Sequence, residues 1–384
     1  MIDFTALTPQ LTDFVAYRHD EDARQADRLC RALQALSDCV GAWQALADRA
    51  DGEGRGPLRA IPLGCPDAAH DAPARPPTVT VVATDGSQIF PDRHVDPACY
   101  LLNIGRVALH YGTTEAPLIA AEPSLRYRRA DLAELESDDA EIVGDLSAEV
   151  VSALRDELEL TWLFETAEHQ RRSGRPIVAL ADGTLIRWML RGMKNRALED
   201  RLIQRYVEQL DRFQAEGVPV ASYISRPANA EVVNLLRLHL GEPDWDAGPD
   251  SIQGVEDREL FAECLAVGQR SALFRSRSAV LKQYGPHQML AFYVRLEGEV
   301  GRVELPAWVA DQPDWVDLIH AVVLDQCDKG AGYPIILQEA HERAVVRAAE
   351  KEMFYGLLAR HVRAGGTGVP TYSGKAASKR APRV

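Results

Sequence analysis

The sequence predicts an α/β protein whose sheet has mixed strand direction and is flanked by helices. A helical pattern comes first, strand-like runs then follow one another directly, and helices and strands alternate through the rest of the chain. Consecutive strands favour antiparallel neighbours, whereas strands separated by helices favour parallel ones. The order of the elements therefore indicates a mixed sheet covered by helices.

The patterns at the beginning and the end of the chain predict how the chain divides into segments. Apolar side chains between Leu29 and Leu46 recur every three or four residues, as on one face of a helix. The next stretch is rich in Gly, Pro, Ala and Asp, and the last twenty residues are Gly-rich and basic. We therefore predict an N-terminal helical segment (1–50), a linker or loop (51–77), a main domain (78–363) and a disordered basic tail (364–384).

The main domain alternates strand-like and helical runs. Strands are predicted at 79–84, 100–111, 117–127, 177–181 and 218–224, with two more within 288–304. Helices are predicted at 148–170, 185–216, 228–240, 256–269 and 313–326, before a long C-terminal helix at 338–363. The first three strands have no helix between them, which suggests a meander.

The composition excludes several classes of protein. No run of ~18 or more apolar residues is present, so no membrane-spanning helix is predicted. The N-terminus lacks the features of a secretory signal and the six cysteines form no CxxC pair, which predicts a cytoplasmic protein with reduced thiols and no zinc ribbon. A net charge of −14 argues against a passive coat of nucleic acid.

Two aspartates share one sequence context. Asp85 and Asp182 each follow an apolar strand directly, and each precedes Gly and a small hydroxyl residue. Ligands of α/β sheets gather at the carboxyl ends of strands, where two carboxylates can meet around Mg²⁺ or Mn²⁺. Asp-Gly after a strand is also the commonest short hairpin turn. The repeated motif and the helix-like residues after Asp182 weaken the case for a turn and leave the metal site and the turn as equal alternatives.

Helices offer further candidates for the same site. The helix before Asp182 carries several acidic residues: Glu157, Glu159, Glu165 and Glu168. Of these, Glu165 lies closer to the apolar face of the helix than Glu157 does. His341 stands just inside the last predicted helix, as a structural residue, a metal ligand or a proton carrier. Tyr333 stands at the entrance of that helix, where its alternative role is to anchor a loop.

Basic side chains near the two aspartates are candidates for contact with nucleic-acid phosphates. The group after Asp182 has the spacing of one helix face, and the others end a strand or cluster near an aromatic residue: Arg187, Arg191, Lys194, Arg226, Arg275 and Arg277. The sequence contains no P-loop, HExxH, GxSxG or Rossmann glycine motif. Any ATP-driven movement of a nucleic acid would therefore depend on a partner.

Four blocks of the sequence resemble, in order, those of the NurA-domain family. They are 83–88, 180–185, 223–227 with 232–237, and 332–334 with 340–341. The resemblance implies an RNase H-like nuclease domain over 78–363. It also implies dependence on Mn²⁺ or Mg²⁺, with two ions, together with homodimers, DNA ends and single strands as substrates, and a HerA-type hexameric ATPase that translocates duplex DNA.

The resemblance also implies roles for individual residues. It makes Asp85, Glu165, Asp182 and His341 the metal ligands, with Tyr333 completing the catalytic set. The expected activity is that of a 5′–3′ exonuclease and single-strand endonuclease that processes DNA ends for double-strand-break repair. The alternatives are another RNase H-like nuclease of the resolvase type, or a catalytically silent partner that guides DNA to an ATPase. Intact carboxylates at both Asp-Gly motifs argue against the silent partner.

Overall fold

The computed structural model describes residues 3–52, 56–91, 95–96, 98–128, 130–131, 148–171, 174–191, 196–242, 248, 251–365 and 371–372. Lys194 and most of the predicted tail lie outside the described residues. The helices are α1 (Phe4–Cys39), α2 (Trp43–Gly52), α3 (Ala148–Arg171), α4 (Arg196–Ala215), α5 (Glu231–Leu240), α6 (Asp257–Cys264), α7 (Ala307–Ala310), α8 (Pro313–Lys329), α9 (Ile335–Ala344) and α10 (Ala348–Ala364). None of these helices is long and apolar enough to cross a bilayer.

The strands, in chain order, are β1 (Ile61–Pro62), β2 (Ala69–His70), β3 (Val79–Ile89), β4 (Val95–Asp96), β5 (Tyr100–Tyr111), β6 (Leu118–Arg126), β7 (Ile177–Asp182), β8 (Val220–Ile224), β9 (Arg270–Ser271), β10 (Phe274–Arg275), β11 (Met289–Arg295), β12 (Val300–Pro306) and β13 (Thr371–Tyr372). The chain divides into two compact units. The first comprises 1–74, 223–281 and 288–324, and the second comprises 75–222, 282–287 and 325–384. The division suggested by the sequence stays a prediction.

The second unit contains β6, β5, β3 and β7, which lie side by side in that order in a mixed sheet. β3 is antiparallel to β5, and β5 is antiparallel to β6. β3 is parallel to β7, with Thr80 opposite Ile177 and Thr84 opposite Ala181. The predicted α/β class, with a mixed sheet flanked by helices, is confirmed.

Burial explains why these runs become central strands. The residues of β3 from Val79 to Thr84 are buried, as are those of β7 from Ile177 to Leu180. Continuous apolar runs of this kind are typical of strands covered on both faces. α3 and α9 both pack on β3 and β5, so helices on the sheet determine which side chains reach its edge.

The first unit has its own core, built from the second half of α1 and the helices α5 and α6. Leu36 of α1, Leu236 of α5 and Phe261 of α6 are buried in one apolar cluster. β11 pairs with β12 and β10 in the same unit, and the ring of Phe261 stacks on Tyr293 of β11 with centroids 4.5 Å apart. The predicted N-terminal helix is therefore part of a packed unit.

Two predicted helices differ from the observed ones. The helix predicted at 338–363 is broken into α9 and α10. The backbone of Val345 leaves the helical conformation, with φ −52° and ψ 124°, and Arg347 caps the next helix by donating its N–H to Glu350. The stretch from residue 185 is predicted as helical, but within the described residues 185–191 it forms only a short 3₁₀ helix, Trp188–Leu190. The Thr184 hydroxyl accepts a hydrogen bond from the backbone N–H of Ile186, which favours a turn over an α-helix there.

Candidate functional site

Asp85 and Asp182 lie next to each other at the edge where β3 extends beyond β7. The last paired residues of the two strands are Thr84 and Ala181, so the next residue on each strand is one of the aspartates. β3 continues through Asp85, which is opposite Gly105 of β5. The hairpin-turn alternative is therefore wrong for Asp85. After Asp182, Gly183 takes a positive φ of 75° and directs the chain away from the sheet.

The charge of Asp85 acts on Asp182. The pKa of Asp182 is raised, first because neighbouring atoms shield its carboxyl group from water and then because the negative charge of Asp85 is near. Hydrogen bonds from Tyr333 and from the backbone N–H of Gly183 oppose this rise in the pKa. The negative charge of Asp85 thus makes ionisation of the neighbouring Asp182 carboxyl group less favourable, and a positive charge between the two would relieve this cost.

Each aspartate has one partner from the segment around α9. His341 Nδ1 lies 2.7 Å from Asp85 Oδ2, and the Tyr333 hydroxyl donates a 2.6 Å hydrogen bond to Asp182 Oδ1. The pKa of Tyr333 is raised, mainly by burial and then by this bond to a carboxylate. Tyr333 is therefore a stable hydrogen-bond donor at neutral pH.

A third carboxylate, that of Glu159 on α3, joins this edge. The Thr84 hydroxyl donates to the backbone oxygen of Glu159 at 2.9 Å, which fixes the helix against β3. The Glu159 side chain keeps only 20% of its surface exposed. Its pKa is raised to about 8 by burial and by the charges of Asp156 and Asp85, although the charge of Arg155 opposes the rise. Glu159 thus belongs to the same electrostatic cluster as Asp85.

The close approach of α3 explains the glycine that follows Asp85. A Cβ at Gly86 would lie 2.4 Å from Glu159 Oε1 and 2.7 Å from Arg155 Cγ, which is closer than real contacts allow. Arg155 is itself held by Asp156 at 2.7 Å and donates to Gln88 at 3.0 Å. Its Nε lies 3.0 Å from Glu159 Oε1. Gly86 therefore provides the space in which Glu159 and its arginine neighbour pack.

The structure does not bring Glu165, the preferred glutamate, to this edge. Glu165 forms an ion pair with Arg212 of α4, whose guanidinium lies 4.2 Å from the centroid of the Phe164 ring. Six residues at ~100° each place Glu165 on a different face of α3 from Glu159. The sequence did contain a signal for Glu159. At steps of four residues it shares one face of α3 with Val151 and Leu163, and both of these side chains are fully buried.

The predicted basic residues separate into buried and exposed groups. Arg187 is not a surface cation, because it pairs with Asp156 at 3.1 Å and lies over the ring of Tyr206 at 4.6 Å. The prediction of one basic helix face was therefore wrong, since Arg187 precedes a 3₁₀ helix and Arg191 follows it. Arg191 is exposed.

The remaining predicted basic residues lie in the first unit. Arg226 is exposed at the end of β8, where its φ of 45° is unusual for a residue other than glycine. Arg275 pairs with Asp51 at 3.0 Å, and Arg277 donates to the backbone oxygen of Ala50. The last two arginines therefore have structural partners within their own unit.

The carboxylate oxygens of the site are of the chemical type that binds a divalent cation. In the part of the chain that the structure describes, no three His, Cys, Asp or Glu side chains are already arranged to hold a metal ion. Carboxylate oxygens are nevertheless the ligands that Mg²⁺ and Mn²⁺ prefer. The raised pKa values of Asp182 and Glu159 arise partly from the charge of Asp85, which a cation would offset. The residues present therefore fit a metal site.

Comparison with known proteins gives one family match. The model of the NurA domain matches residues 79–346, well over half of the chain. The crystal structure of the NurA nuclease from Sulfolobus solfataricus is similar at 15% identity with a TM-score of 0.48, over 95% of this chain and 98% of that one. A second NurA crystal structure is similar at 10% identity with a TM-score of 0.37, over 75% of this chain and 90% of that one. No curated protein matches the sequence.

Proposed function

This chain belongs to the NurA domain family, and from that premise we propose that it is a metal-dependent deoxyribonuclease. The observation that carries the proposal is the meeting of Asp85 and Asp182 at the ends of paired segments of two parallel strands. Each aspartate is hydrogen-bonded to a side chain that can donate or move a proton, His341 or Tyr333. A turn that served only the fold would not require these hydrogen bonds to both aspartates.

We propose that Asp85, Asp182 and Glu159 hold the divalent cations, Mn²⁺ or Mg²⁺, with two ions in the complete site. Glu159 replaces Glu165 in this set, because its pKa responds to Asp85 whereas Glu165 is paired with Arg212. Bound divalent cations would supply an activated water and would offset negative charge during phosphodiester hydrolysis.

The remaining residues of the site orient groups and move protons. His341 Nδ1 lies 2.7 Å from Asp85 Oδ2, so the ring would either complete the ligand set or carry a proton to or from the reacting water. Tyr333 donates its hydroxyl hydrogen to Asp182, which holds that carboxylate in one orientation. Arg155 and Arg187 both bond to Asp156 and so support α3 behind Glu159.

The substrate, partners and location are proposed from the same premise. The protein would cleave DNA ends in the 5′–3′ direction and single strands internally, during processing of double-strand breaks. It would act in the cytoplasm as a homodimer with a HerA-type hexameric ATPase, since its own sequence has no P-loop. Among the predicted basic residues, the exposed Arg191 and Arg226 are the best candidates for phosphate contact.

The test is a cleavage assay on end-labelled linear DNA, both duplex and single-stranded, with Mn²⁺, Mg²⁺ or EDTA. We expect cleavage with Mn²⁺, weaker or equal cleavage with Mg²⁺ and none with EDTA. Absence of cleavage by a folded protein with either metal would overturn the proposal. Equal cleavage in EDTA would overturn its metal dependence.

A further inference from the structure

The loop between α8 and α9 carries Tyr333 to the candidate site. It runs from Gly330 to Tyr333 and turns sharply, because Ala331 and Gly332 adopt positive φ angles of 55° and 106°. Such an angle is unfavourable for alanine, so contacts of the loop must hold this conformation. The Gly332 N–H donates to the backbone oxygen of Cys327 at 2.8 Å, which ties the turn to the end of α8.

One side chain, that of Gln338 on α9, donates to both ends of this loop. Gln338 Nε2 lies 2.8 Å from the backbone oxygen of Gly330 and 3.2 Å from that of Tyr333. A glutamine amide has two N–H groups, so a single residue can donate to both carbonyl groups at once. The two bonds therefore fix the positions of the first and last residues of the loop relative to α9.

The space around Gly330 shows how closely the loop folds back on itself. A Cβ at this position would lie 1.9 Å from the backbone oxygen of Tyr333 and 3.0 Å from Gln338 Nε2. The first of these distances is far below any real contact, and the atom that it meets belongs to the backbone. A larger residue at position 330 would therefore displace the backbone of Tyr333.

A second glutamine, Gln326 in the last turn of α8, fixes the start of α9. Gln326 is fully buried, and its Oε1 accepts a 3.3 Å hydrogen bond from the backbone N–H of Ile336. Its Nε2 donates to the Tyr111 hydroxyl at 2.8 Å. The first N–H groups of a helix have no partner within that helix, so the bond to Ile336 anchors α9 at its first turn. The Gln338 amide thus extends from a helix whose start is itself held in place.

We propose that Gln338 is a positioning residue for Tyr333. It holds the loop so that the Tyr333 hydroxyl reaches Asp182 Oδ1 at 2.6 Å. Gln338 donates to the backbone of the loop, and it acts on Asp182 through Tyr333. Where it concerns cleavage, this proposal rests on the proposed function, in which Asp182 is a metal ligand. The coupling between Gln338 and Tyr333 follows from the contacts of the loop alone.

The experiment compares Q338M with Y333F. Methionine keeps the length of glutamine and adds no charge, but it has no donor. With saturating Mn²⁺ we expect each variant to lower kcat ~10–100-fold, the usual loss when the partner of a metal ligand is removed, with an unchanged KM for DNA. The double variant should cleave at the rate of Y333F, because Q338M then has no further contact to disturb. Multiplied losses in the double variant, wild-type kcat in Q338M or a change in KM alone would overturn the proposal.

A matched control and a second route to the same displacement sharpen the test. Q204M, on the exposed surface of α4, removes an amide that donates to Glu208 at 3.2 Å, and it should cleave as the wild type does. G330A forces the Tyr333 carbonyl group away and should reproduce the loss of kcat in Q338M. Wild-type kcat in G330A, or an equal loss in Q204M, would contradict the positioning role. If Q338M does not fold, Q338E keeps the shape of glutamine, and its loss of kcat must likewise vanish when Y333F is present.

Urea unfolding in EDTA separates this proposal from the proposed function. Y333F should destabilise the wild type, because Asp182 loses a hydrogen-bond donor, and it should destabilise Q338M less. That coupling without any metal-dependent cleavage by the wild type would overturn only the nuclease. Metal-dependent cleavage by the wild type, with independent effects of the two substitutions on both kcat and unfolding, would overturn only the role of Gln338.

Discussion

His341 and Asp85 are 256 residues apart in the sequence, yet His341 Nδ1 lies 2.7 Å from the Asp85 carboxylate. The neighbouring contact between Tyr333 and Asp182 spans 151 residues. Both contacts cross from the segment around α9 to the central strands. The site is therefore formed by tertiary packing, and its parts can be altered separately.

The first prediction concerns the two aspartates. Asp85→Asn and Asp182→Asn keep the size of the side chain but remove the charge that would hold a cation. We expect each variant to lose Mn²⁺-dependent cleavage while it still binds DNA, because two negative charges that repel phosphate are reduced to one. His341→Ala should lower the rate by ~10²–10⁴-fold, the usual contribution of a proton carrier. Asp200→Asn, on the exposed side of α4, is the control. Wild-type rates in both aspartate variants would refute the site.

The second prediction separates the two glutamates of α3. Glu159→Gln should lower both cleavage and the affinity for Mn²⁺, the latter by at least ~10-fold. Glu165→Gln should leave both unchanged, because its partner is Arg212. Calorimetric titration with Mn²⁺ measures the affinity without turnover. The opposite ranking of the two variants would restore Glu165 to the site.

The third prediction concerns Gly86. Gly86→Ala places a Cβ 2.4 Å from Glu159 Oε1, so Glu159 and Arg155 must move. We expect a loss of ~1–3 kcal/mol in the free energy of unfolding, as for overpacking, together with a loss of cleavage. Gly356→Ala on α10 meets no atom within 4 Å and should gain up to ~1 kcal/mol in the same denaturant titration. An active and fully stable Gly86→Ala variant would contradict the packing described for Glu159.

The fourth prediction concerns pH and His320 of α8. His320 is fully buried, with Nε2 2.9 Å from the backbone oxygen of Gly268, and its pKa is lowered to about 4, mainly by burial and then by the charge of Arg270. A lowered pKa means that the folded state prefers the neutral ring. The stabilisation is therefore complete above pH ~6.5 and is lost as the pH falls through about 4, a change of about 3 kcal/mol.

Urea unfolding between pH 7 and pH 4 tests this effect. His320→Gln keeps a donor for Gly268 but cannot be protonated, so its free energy of unfolding should fall less steeply with decreasing pH. His361→Gln, at an exposed position on α10, should keep the slope of the wild type. Parallel curves for the wild type and His320→Gln would show that another group causes the acid sensitivity.

The sequence predicted the parts of the site that depend on local pattern. Asp85 and Asp182 were found because each follows a continuous apolar run, and such runs become central strands whose order places their ends together. His341 and Tyr333 are candidates because of their place at the start of the last predicted helix, and the resemblance to a family assigns them to the site. The structure then brought all four residues to one edge.

The parts that depend on packing between elements were not predicted. Which glutamate of α3 reaches Asp85 depends on how the helix is rotated over β3, and the Thr84 contact that fixes this rotation has no local signature. Arg187 looked like a surface cation because its partner Asp156 is 31 residues away. Ion pairs of this kind become visible only when the helices are placed on the sheet.

The late position of Tyr333 and His341 in the chain has a consequence for synthesis. A ribosome that has just completed Asp182 must add 151 more residues before Tyr333 is made, which takes roughly 8–30 s at ordinary elongation rates. During that interval the central strands and their acidic residues exist without the two side chains that hold the aspartates in place. A nascent chain thus carries an incomplete centre, and completion of the polypeptide itself delays the moment at which the enzyme can first cut.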